Sequence, residues 1–269
     1  MKLLIDADSL IYKAGCANET REYLIQDKET GIVVHSCQYK AEATSYVGED
    51  VSLEIVFTKR AGDLSHSLGN MKQQLDKIRD MLRHTSAELF IGGKGNFRYA
   101  LYPDYKGTRD PVSRPIHEQE LRDYLIRTHK ATVCDGEEAD DVVSYLCCAD
   151  PEGTTIVGID KDLWGTPGHH LNPDKGTLEQ VSLESANEHF WHQMLTGDTS
   201  DNIPCLAGVG PKTADKLIND PPPWCNNLAD VVYQKYLELG HDENYFNLMG
   251  QLLWLRRKPN QVWTPELAV

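Results

Sequence analysis

Three short apolar runs, each ending at a carboxylate or a pair of glycines, constrain this chain more than any other feature. They are Lys2-Leu-Leu-Ile-Asp6, Glu88-Leu-Phe-Ile-Gly-Gly93 and Thr154-Thr-Ile-Val-Gly-Ile-Asp160. A strand with no polar face must be covered on both sides, which is the situation of a parallel sheet. Met71, Leu75, Ile78 and Leu82 recur at helical spacing, so a crossover helix is predicted over Leu68 to Arg83. Leu121, Leu125 and Ile126 mark a further helix, and Ala139 to Ala149 another, directly before the third run. Tyr23-Leu-Ile-Gln, a turn from Asp27 to Gly31, and Gly31-Ile-Val-Val-His read as a hairpin inserted after the first run. The alternation predicts an α/β fold, a central and mostly parallel sheet flanked by helices. Beyond about residue 185 the pattern turns helical, with Pro221-Pro-Pro223 as a break and a late apolar helix over Leu248 to Leu255. The expected division is an α/β core over 1–185 and a helical region over 186–269.

Carboxylates cluster where such a sheet would place a ligand. In open parallel sheets, ligands sit beyond the carboxyl ends of the strands, where Asp6 and Asp160 fall. Further acids stand at Asp8, Glu137-Glu138-Ala-Asp140-Asp141, Asp160-Lys-Asp162 and Gly197-Asp198-Thr-Ser-Asp201. Each group alone has an ordinary explanation, as a helix cap, a charge on a helix dipole or a loop. Together they would repel unless cations lay among them. Oxygen ligands without Cys or His favour Mg²⁺ or Mn²⁺, and two such ions could hold a phosphodiester and activate water, as in a nuclease. A zinc site is not expected: the seven cysteines form no C-x-x-C pair, and His169-His170 and His189-x-x-His192 have no cysteines at ligand spacing. The same cysteines suit free thiols in a reducing cytoplasm. No run of about 18 apolar residues is present, and Asp6 and Asp8 interrupt the place of a secretory core, so neither membrane spanning nor export is expected.

The formal net charge of −14 argues against a nucleic-acid partner on average. Locally the balance reverses. Lys94, Arg98, Lys106, Arg109 and Arg114 stand against only Asp104 and Asp110 in one stretch, with Phe97, Tyr99, Tyr102 and Tyr105 interleaved. Such a segment suits phosphate contacts and base stacking, or simply a solvated loop. Gly208-Val-Gly210 before Pro211-Lys-Thr-Ala214 predicts a tight turn opening a helix, able to set backbone groups and Lys212 against a phosphate.

From Leu3 to Ala214 these pieces resemble, in order, the motifs of the 5′-nuclease or flap endonuclease family, which includes phage 5′-3′ exonucleases and the 5′-nuclease domain of bacterial DNA polymerase I. They are LLIDADSLIY, DYKGTRD, GEEADD, GIDKDL and GDTSDNIPCLAGVGPKTA. The resemblance implies a PIN-like core and a helix-three-turn-helix in the helical region. It implies 5′-3′ exonuclease or structure-specific flap endonuclease activity on DNA with a 5′ end or a single-strand/duplex junction, in a monomer. The location would be cytoplasmic, that of the host if the chain is phage-encoded. Asp6, Glu138, Asp140, Asp160 and Asp162, with Asp141 beside them, match acids of a first metal cluster, and Asp198 and Asp201 match those of a second. Lys106 and Arg109 match residues that contact the scissile phosphate, Asp160 and Asp162 are expected to share in catalysis, and Tyr105 matches a residue near the terminal base. Gly208, Gly210, Lys212 and Thr213 match the duplex-binding turn, whose backbone at Gly208 and Val209 would hold K⁺. The family usually has an Asp where this chain has Gly93, with Asp8 as a substitute nearby.

Two other functions fit some of these residues. Asp6-Ala-Asp8-Ser9 and Gly197-Asp-Thr-Ser-Asp201 imitate motifs of a haloacid dehalogenase-type phosphatase, although a helix is expected over Glu188 to Leu195 where that family has a strand before its last acids. Gly93 motivates a DNA-binding factor with reduced catalysis. A PIN-type ribonuclease would share the acidic edge but not the Gly-Val-Gly turn.

Overall fold

The computed structural model describes residues 1–81, 86–223, 225 and 227–268. In chain order its regular elements begin with β1 (Lys2–Asp6), α1 (Asp8–Cys16), β2 (Glu19–Asp27), β3 (Val33–Cys37), α2 (Lys40–Val47), β4 (Leu53–Ala61) and α3 (Leu64–Met81). There follow β5 (Ala87–Gly92), α4 (Arg98–Leu101), α5 (Glu118–His129), β6 (Thr132–Cys134), α6 (Ala139–Ala149), β7 (Thr154–Val157), β8 (Gly168–Asn172) and β9 (Thr177–Val181). Four helices complete the chain: α7 (Leu183–Thr196), α8 (Pro211–Asn219), α9 (Leu228–Glu238) and α10 (Glu243–Leu253).

The three apolar runs are neighbours in one sheet of order β6-β5-β1-β7-β8-β9. All its pairings are parallel except β8 with the edge strand β9. Side chains alternate across it. Leu3 and Ile5 of β1 pack with Leu89 and Ile91 against α1, α3 and α5, whereas Leu4, Phe90 and Ile156 pack against α6 on the other face. Leu3, Leu4 and Ile5 are all buried, each contributing about 2 kcal/mol of transfer free energy. Strand order reverses beside β1, because β5 and β6 lie on one side of it and β7 and β8 on the other. The crevice at such a reversal opens at the carboxyl ends of the strands, where Asp6 and Asp160 lie.

The hairpin insertion is larger than its sequence signal. β2 and β3 form it, but β4 pairs with β2 along nine positions and α2 covers one side, giving a separate three-stranded sheet over Ile25, Cys37 and Ala43. The mixed charge of β4, Leu53-Glu-Ile-Val-Phe-Thr-Lys-Arg-Ala61, concealed a strand that is only half covered. The expected crossover helix is α3; Leu82 and Arg83, its last expected residues, lie outside the described residues.

The helical region has its own core around Phe190, Trp191, Tyr236, Phe246, Trp254 and Trp263. A boundary after residue 185 falls inside α7, which starts at Leu183 behind its Ser182 cap and is one continuous helix. The late helix ends at Leu253, since Trp254 turns to an extended conformation (ψ 123°). Among the described residues, no helix is long and apolar enough to cross a membrane. The seven cysteines are free thiols.

Candidate metal centre

Acids from four separate segments meet at the reversal of strand order. Asp6 ends β1 and is 8% exposed. Burial, and then the charge of Asp8, Asp160 and Glu138, push its carboxyl up to about 7. Carboxylate oxygens of Glu138, Asp140 and Asp141 lie within 4.8 Å of one another at the start of α6. Asp140 is driven well above the ordinary carboxylate range by burial and by the charges of Glu138 and Asp141. Asp162 is pushed up to about 7 by burial and by Asp160 and Asp198. Asp160 caps the short 3₁₀ turn after β7, accepting the Asp162 N–H at 3.0 Å, and Gln193 of α7 donates to Asp162 at 2.6 Å. The acids thus form a chain of influence. Asp6, Asp8, Glu138 and Asp160 act on one another at one end, Asp162, Asp198 and Asp201 lie at the other, and Asp160 is common to both.

Basic side chains lie among them. The Lys106 ammonium contacts Glu138 and lies 3.5 Å from Asp201. Arg109 donates to Asp201 at 2.6 Å and to the Ser200 carbonyl at 3.2 Å. Lys161 donates to Asp198 at 2.9 Å and lies 3.6 Å from Asp162. Burial alone would raise the Asp198 carboxyl, but the Lys161 bond and the N–H groups of Ser200 and Asp201 outweigh it and hold Asp198 low. Lys106 has a left-handed backbone (φ 56°), and its N–H donates to the Asp201 carbonyl at 2.8 Å. That conformation costs roughly 1–2 kcal/mol for a residue with a Cβ, so the surrounding contacts must hold it.

Two residues expected to face DNA face inward. The Tyr105 ring is 2% exposed, edge-on to Tyr99, and its hydroxyl lies 2.8 Å from Glu138 and 2.6 Å from Asp201. It therefore ties α6 to the 198–201 loop and presents no face to a base. Arg98 is 1% exposed. Its guanidinium grips both oxygens of Asp141 at 2.6 and 3.0 Å and donates to the carbonyls of Leu252 and Trp254 at 2.8 and 2.9 Å. Asp141, fully buried, also accepts the N–H of Glu138 and of Arg256, so its oxygens are committed to holding the start of α6. Burial opposes the Asp141 charge, but Arg98 wins and keeps its carboxyl below the usual value. Composition could count Arg98 and Tyr105 among basic and aromatic residues but could not show which way they point.

Gly93 also has a local cause. A Cβ there would lie 2.2 Å from Asp135 Oδ1 and 2.5 Å from the Cys134 carbonyl oxygen. No side chain fits without moving β6. Asp8 approaches the adjacent position instead, accepting the Gly92 N–H at 2.8 Å while Arg122 lies 3.3 Å from its other oxygen. Lys161, Arg122 and Gln193 were not expected from sequence; only Lys161, set between two acids after a strand, carried a signal that could have marked it.

In the helical region, Gly208 is left-handed (φ 74°), Gly210 caps α8 and Pro211 occupies its first turn. Lys212 and Thr213 are exposed there, while Val209 is buried. The acids at Asp198 and Asp201 follow helix α7, not the strand that the phosphatase motif would require.

A donor set of carboxylate oxygens, of which Asp6, Asp140 and Asp162 carry raised proton affinities, without Cys or His, fits hard divalent cations. A cavity of about 20 Å³ opens among Glu138, Asp140, Asp162, Asp198 and Asp201, room for about one water-sized sphere.

No family model matches the chain. Over 146 residues it is 31% identical to flap endonuclease Xni of Shewanella baltica (strain OS185), covering 49% of this chain and 56% of that protein. Over 161 residues it is 33% identical to DNA polymerase I of Bacillus caldotenax, covering 53% of this chain and 18% of that protein. The chain thus spans about half the length of the flap endonucleases it matches. Its fold is similar to the catalytic core of Rad2 solved with a DNA substrate, with a TM-score of 0.50 at 14% identity over 98% of this chain and 83% of that one. The mixed sheet and its acidic edge define an α/β protein whose carboxylate cluster could hold a metal ion. The two relatives are a flap endonuclease and a DNA polymerase I, each matched over about half of this chain, and the structural likeness shows the fold alone.

Proposed function

We propose that this chain is a divalent-metal-dependent 5′-nuclease that hydrolyses DNA phosphodiesters at a 5′ end or a single-strand/duplex junction. The observation that carries the reading is the meeting of the acids with the basic segment: Lys106 contacts Glu138 and Asp201, and Arg109 contacts Asp201, carboxylates that would take part in holding cations. Relatives named flap endonuclease and DNA polymerase I support it.

Asp6, Glu138, Asp140, Asp160 and Asp162 would hold one Mg²⁺ or Mn²⁺, and Asp198 and Asp201 with Asp162 a second. When bound, the two ions would supply Lewis-acid activation of water and neutralise charge on the phosphodiester. Asp141 serves by position, fixing the start of α6 through Arg98. Tyr105 spaces Glu138 from Asp201. Lys106 and Arg109 exchange their carboxylate partners for the phosphate and offset the charge that develops on it. Lys212, Thr213 and the N–H groups around Gly208 and Gly210 hold duplex phosphates away from the cut. The Gly208 and Val209 backbone is the place for K⁺ in this reading. The protein would act as a monomer in the cytoplasm.

The test is product mapping on 5′-labelled blunt, nicked and flapped duplexes with Mg²⁺ supplied or withheld. Short 5′-terminal products that require Mg²⁺ are expected, and Asp160→Asn should abolish them while DNA binding in Ca²⁺ stays within about threefold. Metal-independent cleavage, or near-normal turnover by Asp160→Asn, would overturn the assignment.

A further inference from the structure

Between the inserted three-stranded sheet and the 110–113 segment lies a cleft of about 560 Å³, lined by none of the residues assigned above. We propose that it is a binding site for single-stranded DNA, seating the unpaired 5′ segment of a substrate; this rests on the DNA reading of the acidic centre.

The sheet builds one wall by alternation. Arg21, Tyr23 and Ile25 point to one face of β2, and their partners on β4, Lys59, Phe57 and Ile55, to the same face. Helix α2 covers the Ile25 end, leaving the Tyr23 and Phe57 rings, 5.1 Å apart, on the cleft. Tyr39, 70% exposed, and Lys40 stand at its rim. Aromatic faces beside cations are the combination that holds unpaired bases and their phosphates without reading sequence. The charge balance agrees. Arg21 and Lys40 line the cleft against Asp110 alone, in a chain whose net charge is −14, and the Asp110 carboxylate is turned back onto the Val112 N–H at 2.8 Å.

The opposite wall is the chain that leaves the metal centre. Asp110 follows Arg109, so a strand held at Arg109 needs to pass along only a few residues to enter the cleft. The walls are fastened to each other: Lys59 donates to the carbonyls of Val112 (3.1 Å) and Arg114, and Glu19 accepts the Ile116 N–H at 2.6 Å. The cleft is therefore formed before a ligand arrives, and its volume lies in the range of small-molecule sites, about 300–1,000 Å³.

The test compares wild type with Tyr39→Ala/Lys40→Ala, two exposed residues outside every core. Binding of a blunt duplex and of the same duplex with an eight-nucleotide 5′ oligo-dT tail is followed by fluorescence anisotropy in Ca²⁺. Wild type should prefer the tailed duplex at least fivefold, and the double variant should lose about five- to tenfold on that duplex, in line with the loss of one stacked base. Its affinity for the blunt duplex should move less than twofold. A wild type without the preference, or a double variant that retains it, would overturn the cleft assignment. Cleavage of the blunt duplex in Mg²⁺, run alongside, reports on the nuclease reading separately: its absence would overturn that reading while the binding comparison still decides the cleft.

Discussion

Replacing Arg98 by Met would expose how far the metal centre depends on a contact that touches no substrate. The guanidinium makes two hydrogen bonds to Asp141 and one each to the Leu252 and Trp254 carbonyls, and both charged residues are sealed from water. Removing the cation leaves a carboxylate of zero exposure unpaired, which in buried ion pairs costs about 3–5 kcal/mol. The two abandoned carbonyls keep part of that loss in any variant, about 1–3 kcal/mol each where water cannot reach them. Urea unfolding with linear extrapolation is the assay. Arg98→Met should lower the unfolding free energy by about 3–5 kcal/mol. Arg98→Met/Asp141→Leu should cost less than the sum of the single changes by about 2 kcal/mol, because the stranded charge is gone. Arg98→Lys, which keeps the charge but not the fork, gives a milder variant at about 2 kcal/mol should the Met variant fail to fold. A loss below about 1 kcal/mol for Arg98→Met, or simple additivity in the double variant, would refute the reasoning. The pH dependence has a definite sign. The Asp141 carboxyl is held below its ordinary 3.8, so the pair's contribution is complete above that pH and is lost as the pH falls further.

Three other outcomes are expected. Asp6 and Asp162 bind protons up to about pH 7, and a carboxylate must give up its proton to take a cation, so Mn²⁺ affinity should climb between pH 6 and 8; calorimetry in buffers of different ionisation heat would count the protons released, and a flat profile would contradict the raised affinities. Gly93→Asp should destabilise the fold by about 1–3 kcal/mol through its clash with Cys134 and Asp135 and should not tighten Mn²⁺ binding; a stable variant with higher affinity would show that β6 yields easily. Lys212→Ala should weaken duplex binding and reduce the slope of log K against log salt by about 0.9, and an unchanged slope would remove Lys212 from the interface.

Much of the sheet was legible because its constraint is local. A run such as Leu3-Leu-Ile5 has one physical solution, burial on both faces, and it lies at the centre of the sheet. Helix α6 was legible to the residue, since Ala139 follows an acidic start and Ala149 precedes a turn. β4 was not, because a strand covered on one side only by a short helix need not alternate cleanly. Among the candidate site residues, sequence could mark the acids as a group but not their division of labour. Asp140 and Asp141 are adjacent in the chain, yet one keeps a carboxyl raised well above the ordinary range and the other is spent on Arg98. That difference is decided by the Arg98 side chain and by carbonyls more than a hundred residues away. The expected boundary at residue 185 falls within α7, since a change in composition does not coincide with the start of a helix.

The lysines among the acids carry one more consequence. By sitting against Glu138, Asp162, Asp198 and Asp201, Lys106 and Lys161 act as built-in placeholders that let the chain close around a cluster of like charges before any ion is available. On the nuclease reading, folding would not depend on metal supply: the polypeptide could reach its shape in a metal-poor environment, and Lys106 and Lys161 would give up these carboxylates to ions supplied later.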